Sequence, residues 1–116
     1  MILAIVDDLM FTSKIKTTAR LLGVPILFAR SRDSALTEMR KDPPSLVIFD
    51  LNGTGTDPLG TLAAMHGDPE LAAIPTVGFV SHVQAELIEA ARQAGVGEVM
   101  ARSAFTARLA DILKVG

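Results

Sequence analysis

Five short, β-prone apolar runs alternate along this chain with five stretches whose apolar residues recur at helical spacing, and turn residues separate them. The runs are Ile2 to Val6, Pro25 to Ala29, Leu46 to Asp50, Thr76 to Val80 and Glu98 to Ala101. Strand-helix units of this length connect by right-handed crossovers, which makes neighbouring strands parallel. The predicted fold is α/β, a doubly wound five-stranded parallel sheet with helices on both faces. The first and third runs are the most hydrophobic, so they belong at the centre of that sheet.

Helix ends are also legible. Phe11, Ile15, Ala19 and Leu22 share one helical stripe that stops at Gly23, a residue typical of the position just past a helix end. Ser31 or Asp33 can cap a second helix with Leu36 and Met39, which must finish before Pro43-Pro44. Asp57-Pro58 reads as a cap followed by proline at the first helical position, opening a third helix with Leu62 and Met65. A fourth carries Val83, Leu87, Ala91 and Ala94 up to Gly95, and a fifth, opened by Ser103, carries Phe105, Leu109, Ile112 and Leu113. The 116 residues suit one domain spanning 1–116. Because the chain ends soon after helix five, no effector domain is expected.

Charge and residue usage narrow the function. A formal charge of −2 supplies no basic field for nucleic acid, and no stretch is long and apolar enough to span a bilayer. With no cysteine, disulfides, thiolate metal sites and cysteine nucleophiles are excluded, which fits a cytoplasmic protein. The apolar start lacks a basic leader and runs straight into Asp7-Asp8, unlike a signal peptide.

Strands one and three, if adjacent, bring Asp7, Asp8 and Asp50 to the carboxyl edge of the sheet, where open α/β folds bind ligands. Ser81 and Arg102 follow strands four and five at the same edge. Clustered carboxylates repel one another, and Mg²⁺, a hard cation with oxygen ligands, relieves that repulsion. Asp8 and Asp50 are the ligands of choice, with Asp7 beside them. A carboxylate beside Mg²⁺ can attack a phosphoryl group, making Asp50 the nucleophile. Ser81 could then donate its hydroxyl to a phosphoryl oxygen, and Arg102 could supply a cation. The plainer reading makes these aspartates strand-end and helix-capping residues.

In order and spacing, these residues resemble the receiver domain of bacterial two-component response regulators, the CheY-like family, over essentially the whole chain. The resemblance implies a flavodoxin-like (βα)5 fold with strand order 2-1-3-4-5. Asp7-Asp8 matches the family's acidic pair, Asp50 its phosphoacceptor and Ser81 its hydroxyl residue. Asn52 matches a position whose backbone carbonyl is a metal ligand, and Ala94-Gly95-Val96-Gly97 resembles the link into strand five. It further implies phosphate received from a histidine kinase or phosphotransfer protein. Output would pass through the face of helix four, strand five and helix five, to a protein target or a homodimer; Glu86, Glu89, Arg92, Arg108 and Asp111 could pair across it.

Strand five departs from the family. Arg102 and Ser103 stand where it has lysine and cis-proline, and Glu98 or Val99 occupies the region of its aromatic switch. His82 follows Ser81 where the family often keeps a small residue, and would hinder access. A pseudo-receiver, binding or dimerising without phosphate, is the alternative these departures favour. A flavodoxin-like cofactor protein or small phosphatase is disfavoured by the shortage of aromatics and of a covering domain. Gly53-Thr54-Gly55 reads as a flexible turn, because Pro58 holds the next glycine position of a dinucleotide fingerprint. Ser81-His82 lacks a nucleophile elbow, and His66 reads as a histidine of a surface connection.

Overall fold

The computed structural model describes residues 1–81 and 84–116. Its elements are β1 (Ile2–Ile5), α1 (Leu9–Leu22), β2 (Ile26–Ala29), α2 (Arg32–Lys41), β3 (Leu46–Asp50), α3 (Pro58–His66), β4 (Thr76–Val80), α4 (Ala85–Gln93), β5 (Glu98–Ala101) and α5 (Arg102–Val115). All strand pairs are parallel, in the order β2-β1-β3-β4-β5. The doubly wound sheet, with its two apolar strands at the centre, is therefore observed.

Side-chain alternation along β1 divides the core in two, since successive residues of a strand leave opposite faces. Ile2, Ala4 and Val6 pack with Phe11, Ile15, Phe105 and Leu109 beneath α1 and α5. Leu3 and Ile5 pack with Leu36, Met39, Leu62 and Ala91 beneath α2, α3 and α4. Every residue of β1 and β3 is buried, whereas edge strand β2 is partly exposed. That is why β1 and β3 carry continuous apolar runs.

Local chemistry sets the helix ends. Gly23 ends α1 in the left-handed region at φ 68°, where a side chain would be strained. Ser31, not Asp33, is the N-cap of α2, its hydroxyl accepting from the Ser34 amide. Asp57 caps α3 and Pro58 follows it. Other limits shift by a residue. Val6 and Pro25 lie outside the strands, and Ala94 is the C-cap of α4 rather than part of it. β5 ends at Ala101 as expected, and α5 opens at Arg102, one residue before Ser103, with no side chain capping its start. His66 is the last residue of α3, against Gly95, not part of a connection. The expectations for His82 and Val83 fall outside the described residues. Among the described residues, no helix is long and apolar enough to cross a membrane.

Candidate functional site

Register places the acidic residues. Ile5 pairs with Phe49 and Asp50 with Phe79, so the ends of β1, β3 and β4 meet at one edge, each followed by a turn. Asp50 itself closes β3 and is only 8% exposed. Its Oδ1 accepts from the Asn52 amide at 3.0 Å. Burial raises its pKa above the ordinary carboxylate value, an effect reinforced by the negative charges of Asp7 and Asp8 and opposed by the Asn52 amide and Arg102. The three carboxylates are thus near enough to repel, although only Asp50 is buried.

Asp7 is held by the following loop of β3. The Gly55 amide donates to its Oδ2 at 3.3 Å. Gly53 lets this loop come close: a Cβ there would stand 2.8 Å from Thr56 Oγ1, 3.2 Å from the Asp50 carbonyl oxygen and 3.4 Å from Asp7 Oδ1. The Thr56 hydroxyl is wholly buried and has no hydrogen-bond partner among the described residues. Oxygen atoms of three residues thus surround one small space beside Asp50, a donor set suited to a hard cation and its waters.

Asp8 has other engagements. Its Oδ1 caps α1, accepting from the amides of Met10 at 2.9 Å and Phe11 at 3.1 Å. Its Oδ2 pairs with Arg102 Nη2 at 3.3 Å. The Phe11 amide bond, with the Arg102 guanidinium, holds the Asp8 carboxyl below its ordinary pKa despite some burial. Arg102 also lies over the Phe11 ring, its Cζ 4.2 Å from the centroid. Among the described residues no three acidic or histidine side chains stand at metal-ligand spacing, so the expected convergence of all three carboxylates is incomplete. Asp8 is meanwhile held by the start of α1 and by the guanidinium.

Ser81 is similarly engaged. Its hydroxyl donates to Asn52 Oδ1 at 3.0 Å, the same oxygen that accepts from the Ser81 amide at 2.7 Å. Asn52 Nδ2 in turn donates to Gln84 Oε1 at 3.2 Å, joining the turn after β3 to the start of α4. The side chain of Asn52 therefore organises this edge, a role separate from the metal-ligand role the resemblance implies for its backbone carbonyl. Asn52→Ala should lower the unfolding free energy by about 1–2 kcal/mol, measured by urea denaturation, through loss of this bridge. An unchanged midpoint would mean the bridge contributes nothing.

Gly55, Thr56, Phe11 and Gln84 were not singled out as site residues by sequence. Only the glycine-rich loop after Asp50 carries a usable signal, and its spacing by itself suggests no more than a turn. On the far side, Arg108 pairs within the chain with Glu98 at 3.6 Å, so it already has a partner without a second copy.

No protein-family model matches the chain, and no curated protein matches it. Solved structures do. The phosphorylated cyanobacterial phytochrome response regulator RcpA matches with a TM-score of 0.80 at 22% identity, over 97% of this chain and 87% of that one. The Mn²⁺-bound form of the response regulator Rcp1 matches with a TM-score of 0.81 at 17% identity, over 96% of this chain and 89% of that one. A response regulator from Hahella chejuensis matches with a TM-score of 0.85 at 17% identity, over 97% of this chain and 91% of that one. At such identities the likeness is one of fold, and the fold is that of CheY-like receiver domains.

Proposed function

We propose that the chain is a single receiver-like unit, a cytoplasmic signalling switch whose Asp50 accepts a phosphoryl group from a histidine kinase, a phosphotransfer protein or a small phosphodonor. The observation that carries this reading is Asp50 itself: a buried carboxylate closing a central strand, with two further aspartates at the same sheet edge, in a receiver fold. A phosphorylated response regulator and a Mn²⁺-bound one among the similar structures support it.

Mg²⁺ would be held by Asp7, Asp8, Asp50 and the backbone carbonyl of Asn52. When bound, it neutralises charge on the transferring phosphoryl oxygens. An Asp50 carboxylate oxygen attacks phosphorus as the bond from phosphorus to the donor breaks, and the leaving group departs with that electron pair. Burial of Asp50 limits its contact with water. Ser81 would then exchange Asn52 Oδ1 for a phosphoryl oxygen as hydrogen-bond acceptor, and Arg102 would provide positive charge nearby. Freed from Ser81, Asn52 carries the change to Gln84 and the start of α4. Output then reaches a target protein or a second copy through the face of α4, β5 and α5.

Incubation with Mg²⁺ and acetyl phosphate should add one phosphoryl group, seen by intact mass, and Asp50→Asn should abolish it. No adduct in the native chain would favour the second reading, a pseudo-receiver that binds partners without phosphate. That reading draws on the engagement of Asp8 by Arg102 and of Ser81 by Asn52.

A further inference from the structure

We infer that Arg102 is a built-in competitor for the divalent cation: it occupies the Asp8 oxygen that the ion needs, and its stacking on Phe11 sets how tightly the ion binds. The inference rests on the metal-assisted reading above.

Both oxygens of Asp8 are in use. Giving up Oδ1 would strip two amides at the first turn of α1 of their acceptor, whereas giving up Oδ2 breaks one half-exposed ion pair. An ion entering the site therefore takes Oδ2, and Arg102 must leave it. Phe11 serves both sides of this contest, since its amide fixes Oδ1 while its ring carries the guanidinium. That ring is a firm platform, backed by Phe79 at 4.7 Å and Phe105 at 5.8 Å between centroids. Arginine suits the position better than lysine would, because its planar group stacks and pairs at once. Its place at the first residue of α5 also ties its release to a helix start that no side chain caps. By reciprocity, whatever Arg102 takes from ion binding, the ion takes from Arg102's hold on Phe11 and Asp8.

Calorimetric titration of the full chain with Mg²⁺ tests this. Arg102→Gln should bind about tenfold more tightly than the native chain, a difference of about 1.4 kcal/mol. Arg102→Lys should fall between them, keeping the charge and losing the planar stack. In the native protein, saturation with Mg²⁺ should move the Arg102 δ-proton resonances downfield as the shielding of the Phe11 ring is lost. Native-like affinity in Arg102→Gln, or Arg102 resonances unmoved at saturation, overturns the competition while leaving the metal site standing. Failure of all three proteins to bind Mg²⁺ overturns the metal site and the competition together.

Discussion

Phe79→Ala should cost about 3–5 kcal/mol of folding stability, the range for emptying a buried aromatic position. Phe79 is fully buried in β4, its ring 4.7 Å from Phe11 and 4.6 Å from Phe105 between centroids, so it ties α1 and α5 to the sheet. Natural domains of this size are stable by only about 5–15 kcal/mol, so the loss would consume much of the total. The site would suffer as well. Asp50 is the register partner of Phe79, and the side chains of such a pair leave the sheet on the same face. A cavity there loosens both the Asp50 carboxylate and the platform under Arg102. Urea denaturation of the variant gives the answer, and a loss below about 1 kcal/mol would mean that neighbouring side chains fill the gap. Phe79→Leu, which keeps most of the volume, should be tolerated much better.

The fold was legible because its signals are local. The first and third apolar runs had to be central strands, and β1 and β3 are buried at every residue. Gly23, Ser31 and Asp57-Pro58 mark helix ends by backbone chemistry that needs no tertiary partner. The sequence shows which side chains share this sheet edge and does not show how they are bonded to one another. Asp8 stands one residue before α1, so a single carboxylate satisfies both the metal-ligand pattern and the capping pattern, and sequence cannot say which wins. Ser81 and Asn52 lie 29 positions apart, and their hydrogen bond exists only once β3 and β4 are paired. Arg102 follows strand five as its sequence position implies, but its partners do not show in the sequence, because it reaches Asp8 and Phe11 only once α1 and α5 pack side by side.

Asp50→Asn should abolish phosphoryl acceptance and, without metal, make the protein more stable. The native carboxylate is buried and faces the charges of Asp7 and Asp8, so ionising it costs more in the folded chain than in the unfolded one. Asparagine removes that charge while its amide oxygen can still accept from the Asn52 amide, the bond Asp50 makes at 3.0 Å. The expected result is a higher unfolding midpoint for the variant at neutral pH. Dependence on pH identifies the cause. A folded-state pKa raised above the unfolded value means the folded chain binds the proton more tightly, so the native protein regains stability as pH falls through the folded pKa. That contribution is complete below the unfolded value, near 3.8, and is lost again as pH rises through the folded one. The advantage of Asp50→Asn should therefore shrink on mild acidification from neutrality. On the proposed function, saturating Mg²⁺ should shrink it too, because the variant would lack one of the proposed anionic ligands. Thermal unfolding of both proteins with a chelator and then with excess Mg²⁺, from neutrality to about pH 4.5, would show both trends. An advantage that stays constant across pH and metal would instead trace to packing at the end of β3.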